Sequence, residues 1–338
     1  MAQKFDLIIV GRGVAAQVFL DYLGKRKKQL KILGLHAPKL APPCSLFTTS
    51  IISQNGVTKN NSQLGDWLYD AHAEAAAFMR TRRPAGVTAC RQYHLRFAKD
   101  GKSKTDLARR FLTAPKIHAI REINFSVPPD ALAFSEEAYC LAAIDFLNWF
   151  DRENHLSFSP PLMWREDFVN EVFQDGVTTL SGARYFADKI VFATGAAKDY
   201  LFHAEMKPLA KRVPGSYLQI GWDLGDKSFI LSCKGMNLVY RHTDQIILLG
   251  GTTQLDGVEA IDWCGLQDYL QKARELIPSL PAFDHWQSFS GIRQKGEKRL
   301  PYWGPCNVHG DRHYEISSLY KNGFSLAFLA GAELSRLI

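Results

Sequence analysis

The chain has 338 residues, 46% of them hydrophobic and 22% charged, which is typical of a soluble globular protein long enough for two domains. Six scattered cysteines, no apolar run of transmembrane length and an N-terminal apolar stretch too short for a signal peptide together predict a cytoplasmic protein without a membrane span. The net charge of +7 favours anionic ligands, but charge runs are usually solvated surfaces, so nucleic acid is a minor alternative.

The first predicted elements form a βαβ unit. They are a strand over Asp6–Val10, a helix over Val14–Lys27 and a strand over Leu30–Leu35. The first turn reads Gly11-x-Gly13-x-x-Ala16. Its glycines allow a tight bend with bare backbone against a pyrophosphate, and the helix N-terminus adds N–H groups and a favourable dipole. Ala16 is small enough to let the helix pack closely on the strand. The unit therefore predicts a dinucleotide site.

His36 stands where an acidic residue usually follows the second strand and holds a ribose. A neutral imidazole accepts a hydrogen bond only through its one unprotonated nitrogen, whereas a carboxylate has two oxygens. The alternative is that His36 is simply a surface residue. Either way, we expect nucleotide binding to be weakened and not abolished.

The middle of the chain continues the pattern of alternating helices and strands. Helices are predicted within 64–80 and 142–154, and strands are predicted around turns at Asp175-Gly176 and Ser181-Gly182. The almost wholly apolar strand at 189–193 suits a buried parallel strand. It ends in small residues, including Ala193 and Gly195, which would let the backbone approach a nucleotide. Residues 213–290 alternate like antiparallel strands and contain one helix.

Two C-terminal segments carry candidate chemistry. Arg293 follows Gly291 at a strand end and could grip a carboxylate with two parallel hydrogen bonds, to which the hydroxyl of Tyr240 could add a third. Asn322-Gly323 opens a terminal helix whose N-terminus could face a developing negative charge. The plainer alternatives are an ion-paired surface arginine and a capped terminal helix.

A metal site is not predicted. Cys306, His309 and His313 lie close in sequence, but they sit around a loop and lack a fourth ligand at a standard spacing. A P-loop, a nucleophile elbow and an H-E-x-x-H motif are also missing from the sequence, which weakens hydrolase interpretations.

Taken in order, these segments resemble the D-amino-acid oxidase and glycine oxidase family of FAD-dependent oxidoreductases. The resemblance lies in the fingerprint over 11–16, the strand "KIVFATGAA", and the segments "SGIRQKGEKRLPYWGP" and "LYKNGFSLAFLAGAELSRLI". The chain departs from the family pattern at His36, at Gln294 and Lys298 in the arginine motif, and at Ser318-Leu319 in place of Gly-His. Only "CSLFTTS", which contains Ser45, represents the stretch that wraps the pyrophosphate.

The resemblance implies a function and a set of site residues. The expected reaction is hydride transfer from the α-carbon of an amine, usually an amino acid, to flavin, followed by reoxidation and hydrolysis of the imine. Arg293 would bind the substrate carboxylate with help from Tyr240. The expected FAD contacts are Gly11, Gly13, Ala16, His36, Ser45, Ala193, Gly195, Gly291, Asn322 and Gly323.

The expected fold is α/β, with a Rossmann-like FAD-binding domain interleaved with a substrate domain made of an antiparallel β-sheet and helices. Residues 1–80, 138–205 and 290–338 would form the first domain, and residues 81–137 and 206–289 the second. Two further classes stay open. A tRNA-modifying flavin oxidoreductase of this fold would use the basic surface, and a non-catalytic relative that has lost FAD would account for His36.

Overall fold

The computed structural model describes residues 3–97, 116–197, 210–255, 259–306 and 311–338. The helices in these ranges are α1 (Val14–Arg26), α2 (Gln63–Arg82), α3 (Ala143–Ser157), α4 (Trp263–Leu276) and α5 (Gly323–Leu337). Within the described part of the chain, no helix combines the length and the apolarity needed to cross a membrane.

The first of two large sheets is mostly parallel. Its strands are β1 (Gln3–Val10), β2 (Ile32–His36), β8 (Met163–Glu166), β9 (Val169–Phe173), β10 (Gly176–Thr179), β11 (Arg184–Phe192), β17 (Tyr302–Pro305) and β18 (His313–Ser317). The central order is β17-β18-β11-β1-β2-β8, and β1 runs parallel to both β11 and β2. Because β18 is also parallel to β11, and β8 to β2, the carboxyl ends of five strands meet at one edge of the sheet. Ligands bind at this edge in open α/β sheets.

The second sheet is mostly antiparallel. Its strands are β3 (Ile51–Ser53), β4 (Val87–Phe97), β7 (Ala131–Leu141), β12 (Ala210–Gly221), β13 (Phe229–Cys233), β14 (Met236–Arg241), β15 (Ile246–Gly250) and β16 (Gln287–Gly296). The order is β16-β12-β15-β14-β13-β4-β7-β3, and among the pairings of the described strands in this sheet only that of β13 with β4 is parallel. Two short strands, β5 (Ala119–Ile120) and β6 (Phe125–Ser126), form a separate hairpin. The two sheets confirm the predicted fold class.

The predicted elements are present in the structure with shifts at their ends, the largest in the strand predicted at 189–193, which is part of β11 and begins at Arg184. β2 ends at His36, one residue later than predicted, and the helix predicted within 64–80 is α2. α2 begins where the Ser62 hydroxyl accepts a hydrogen bond from Gly65 N at 3.1 Å, which caps the helix N-terminus. β3 and β16, which lie at opposite ends of the chain, both belong to the second sheet, so the chain passes between the two sheets several times.

The turn between β1 and α1 brings two backbones into close contact. Gly11 has φ 108°, and a Cβ added there would lie 2.3 Å from the carbonyl oxygen of Ala193 at the end of β11. Gly11 N also donates to Leu35 O at 2.8 Å, and Ala193 N donates to Val10 O at 2.8 Å. Glycine is therefore required at this position both by the backbone angle and by the contact.

Replacing Gly11 with alanine is expected to lower the free energy of unfolding by about 1–3 kcal/mol, because the new methyl group meets a backbone oxygen at a strained φ. Gly221→Ala is the control, since an added Cβ at Gly221 meets nothing within 4 Å. The control should change stability by no more than about 0.5 kcal/mol. Urea denaturation measures both changes, and equal stability of the two variants would contradict the tight contact at Gly11.

Candidate active site

A cavity of about 870 Å³ is lined by residues from both large sheets. Most of the residues predicted from the sequence line it: Gly11, Gly13, His36, Ser45, Ala193, Gly195, Gly291, Arg293, Asn322 and Gly323. The cavity extends from the end of β2 past the N-terminus of α1 to β16 and the N-terminus of α5. The structure thus brings together segments from both ends of the chain.

Ala16 and Tyr240 are the two predicted residues that do not line this cavity. Ala16 is fully buried against the apolar cluster of the first sheet, which agrees with its predicted packing role and corrects the expected FAD contact. Tyr240 is also fully buried, and its hydroxyl donates to Asp223 Oδ1 at 2.8 Å and to Gly225 O at 2.9 Å. The structure therefore corrects the expectation that Tyr240 helps to hold substrate, because its side chain faces the core of the second sheet.

The N-terminus of α1 opens onto the cavity. Val14 N donates to the Ser45 hydroxyl at 3.3 Å, and a Cβ added at Gly13 would lie 3.4 Å from the same oxygen. The loop that carries Ser45 therefore packs closely over the start of the helix. Such an N-terminus offers N–H groups and a positive dipole end to a phosphate.

Arg293 is held by backbone carbonyl groups. Its Nη2 atom donates to Thr252 O and to Pro214 O, the latter at 3.3 Å, and its guanidinium carbon lies 5.8 Å from the centroid of the Tyr320 ring. A Cβ added at Gly215 would lie 1.4 Å from Nη2, so the guanidinium needs glycine at that position. No carboxylate among the described residues forms an ion pair with Arg293.

Burial lowers the pKa of Arg293 from its ordinary value of 12.5, although nearby Cys44 opposes that shift. An arginine pKa starts so far above neutrality that the guanidinium stays charged. The described part of the cavity therefore presents a partly desolvated cation without an acidic partner.

The pKa values of two further groups near Arg293 are shifted. The Lys321 side chain is exposed to solvent, but partial desolvation by the protein packed around it, together with the charges of Arg293 and Arg299, lowers the lysine pKa to about 8. Burial raises the pKa of the Cys44 thiol to about 11, with the charge of Arg293 opposing the rise. At neutral pH the lysine is therefore mostly charged and the thiol is protonated.

Several cavity residues were not predicted from the sequence, among them Arg12, Gln92, Asp151, Tyr217 and Lys321. Lys321 directly precedes Asn322, so its place before the predicted helix N-terminus was a usable signal. Arg12 and Asp151 are 139 positions apart, and no local pattern joins them. Tyr217 stacks on Phe289 at 5.3 Å, and it is a tyrosine that does line the cavity.

Comparison with protein families matches residues 165–337, just over half of the chain, to the family described as FAD dependent oxidoreductase. The chain belongs to the FAD-dependent oxidoreductases. The resemblance inferred from the motifs is thereby confirmed, and FAD is the cofactor. No curated protein sequence matches this FAD-dependent oxidoreductase.

Solved structures share its fold over nearly the whole length of both chains. Glycine oxidase from Geobacillus kaustophilus has 18% identity and a TM-score of 0.78, covering 99% of this chain and 95% of that one. Iminodiacetate oxidase from Chelativorans sp. BNC1 has 15% identity and a TM-score of 0.77, with 97% and 94% covered. L-Proline dehydrogenase from P. horikoshii has 13% identity and a TM-score of 0.79, with 100% and 94% covered. At these identities the likeness establishes the fold.

The cavity suits FAD in shape and chemistry. Its volume lies within the range of about 300–1,000 Å³ usual for ligand and cofactor sites. The bare backbone at Gly11 and Gly13, beside the N-terminus of α1, fits a pyrophosphate. The lining includes His36 on the first sheet and Gly291 on the second, so the cavity reaches both sheets.

The described residues contain no group of three or more histidine, cysteine, aspartate and glutamate side chains placed to hold a metal ion. His309, one of the three residues considered in the sequence, lies outside the described ranges.

Replacing Arg293 with glutamine is expected to raise the pKa of Lys321 above 8, because one of the two nearby positive charges is removed. The value should stay below the ordinary 10.5, since desolvation is the larger cause and persists. NMR titration of protein carrying ¹³C-methylated lysines measures it. A Lys321 titration that is identical in both proteins would show that the two cations do not share the cavity.

Proposed function

We propose that this FAD-dependent oxidoreductase oxidises a small amine that carries a carboxylate, most simply an amino acid. The supporting observation is Arg293, a charged side chain that lines the cofactor cavity without an ion-pair partner among the described residues. A ligand carboxylate would supply the missing counter-charge through charge-assisted hydrogen bonds. The solved structures of the same fold include enzymes named for glycine, iminodiacetate and L-proline, which agrees with such a substrate.

When bound, flavin supplies the two-electron acceptor chemistry, while the protein supplies binding, orientation and electrostatics. Arg293 orients the substrate by its carboxylate, and Gly215 leaves the space that the guanidinium occupies. The N-terminus of α5, with Asn322 and Gly323 at the cavity, stabilises negative charge that develops near it. Lys321 adds a second positive charge beside Arg293 and strengthens the attraction of anions.

We place the enzyme in the cytoplasm, with a small molecule as its partner. All six cysteines are free thiols, which agrees with a reducing compartment. The charged residues of the cavity lining nearly balance and do not explain the net charge of +7, so a nucleic-acid partner stays a minor alternative.

The first test is the visible spectrum of the purified protein, followed by a screen of amines and amino acids for bleaching of the flavin band. Arg293→Gln is expected to lower kcat/KM for a carboxylate-bearing substrate by about 10–100-fold, because hydrogen bonds to a charged group are lost. Arg274→Gln is the control, since Arg274 is an exposed arginine on α4 outside the cavity. Unchanged kinetics of the Arg293 variant would contradict the carboxylate assignment, and a protein that stays colourless with added FAD would contradict the function.

Binding of an unreactive carboxylate is expected to weaken as the pH rises above about 8, where Lys321 loses its proton. The bound anion favours the charged lysine, so affinity is full below this pKa and falls above it, by at most about tenfold per pH unit. The thiol of Cys44 and the phenol of Tyr217 titrate higher, at about 11 and about 12. Flavin-monitored titrations over this range measure the effect. If the affinity of the Lys321→Met variant still falls with rising pH, the pH dependence belongs to another group.

A further inference from the structure

His36 stands at the end of β2, where an acidic residue usually binds the ribose hydroxyls of the cofactor. Arg12 Nη1 lies 3.2 Å from His36 Nε2. A guanidinium can only donate, so Nε2 must accept and the ring carries its proton on Nδ1. Burial, followed by the charge of Arg12, lowers the pKa of His36 and keeps the ring neutral. The accepting nitrogen is thus already used, and His36 cannot accept a hydrogen bond from a ribose hydroxyl through it.

A carboxylate reaches the same part of the cavity from another element. Asp151, on α3, lines the cavity and its side chain is 30% exposed. Arg12 Nε donates to Asp151 Oδ1 at 3.1 Å, and Arg12 Nη2 donates to Oδ2. This two-pronged contact fixes the carboxylate beside His36, at the end of the cavity where β2 terminates.

Two buried amides support the same carboxylate. Asn154 Nδ2 donates to Gln17 Oε1 at 2.8 Å, which turns the amide nitrogen of Gln17 toward Asp151. Gln17 Nε2 then donates to Asp151 Oδ1 at 3.1 Å. Asp151 therefore accepts three hydrogen bonds, whereas an ionised carboxylate offers about four lone-pair positions. One acceptor position, on Oδ2, remains available.

The side chains of Arg12 and His36 rest on the Trp164 ring, which lies against β2 where Gly34 has no side chain. A Cβ added at Gly34 would lie 2.1 Å from the Trp164 ring, so glycine lets that ring lie against the strand. The Arg12 guanidinium carbon sits 5.0 Å from the centroid of the same ring, and the His36 ring meets it edge-on at 5.7 Å. Trp164 therefore supports both side chains that place the carboxylate.

We propose that Asp151 binds a hydroxyl group of the adenosine ribose of FAD, in place of the acid missing from the end of β2. The carboxylate that accepts the hydrogen bond then lies on helix α3 and not at the end of strand β2. Arg12 holds this carboxylate next to His36, which occupies the usual position of the acid. The proposal concerns cofactor recognition and does not depend on the amine substrate. The competing explanation is that Asp151 only neutralises Arg12.

The test compares FAD with an FAD analogue that lacks both hydroxyls of the adenosine ribose. Each is titrated into the full chain stripped of flavin, and the dissociation constant is read from flavin fluorescence. The wild-type protein should bind the analogue about 10–100-fold more weakly than FAD. Asp151→Asn should bind FAD correspondingly more weakly and should no longer distinguish it from the analogue. Asp145→Asn is the control, because Asp145 is an exposed aspartate of α3 outside the cavity.

A merely structural ion pair would change stability without changing this discrimination. The proposal is overturned if the wild-type protein binds both ligands equally, or if Asp151→Asn discriminates as the wild type does. Asp151→Ser has a smaller side chain and replaces the asparagine variant if that one fails to fold. It too should bind FAD more weakly and should not distinguish FAD from the analogue.

Discussion

The contact between the backbone at Gly11 and the carbonyl of Ala193 determines where the functional parts lie. It ties the end of β1 to the end of β11, while Gly11 N ties the same turn to β2 through Leu35 O. The turn therefore cannot move relative to the sheet edge. The direction of α1, and with it the positions of Arg12 and Gly13 at the cavity, follow from this rigid junction.

Elsewhere in the cavity, uncharged backbone groups hold the positively charged side chain of Arg293. Carbonyl oxygens of Thr252 and Pro214 orient the guanidinium of Arg293 but leave its charge uncompensated. An acid in their place would have completed the ion pair within the protein and removed the attraction for an anionic ligand. The proposed preference for carboxylates rests on this charge, which no acidic residue of the described fold neutralises.

The parts of the site that could be predicted were those encoded locally or by a motif. The turn at Gly11 and the strand carrying Arg293 are examples. The expectation for Tyr240 was not met because a motif locates a strand without determining which of its side chains face the cavity. Asn237, three positions earlier in β14, lines the cavity, whereas Tyr240 points to the opposite side, as the period of two along a strand requires. The cluster around Asp151 depends on contacts across 139 positions, which only the tertiary fold creates.

The protonated thiol of Cys44 has a consequence for the durability of the enzyme. Oxidases that pass electrons to oxygen release hydrogen peroxide beside their own active sites. Peroxide attacks thiolates, so a cysteine whose pKa is about 11 presents very little of the reactive form at neutral pH. The loop that covers the start of α1 can thus carry a sulfur atom in contact with the cavity while presenting very little of the form that peroxide attacks.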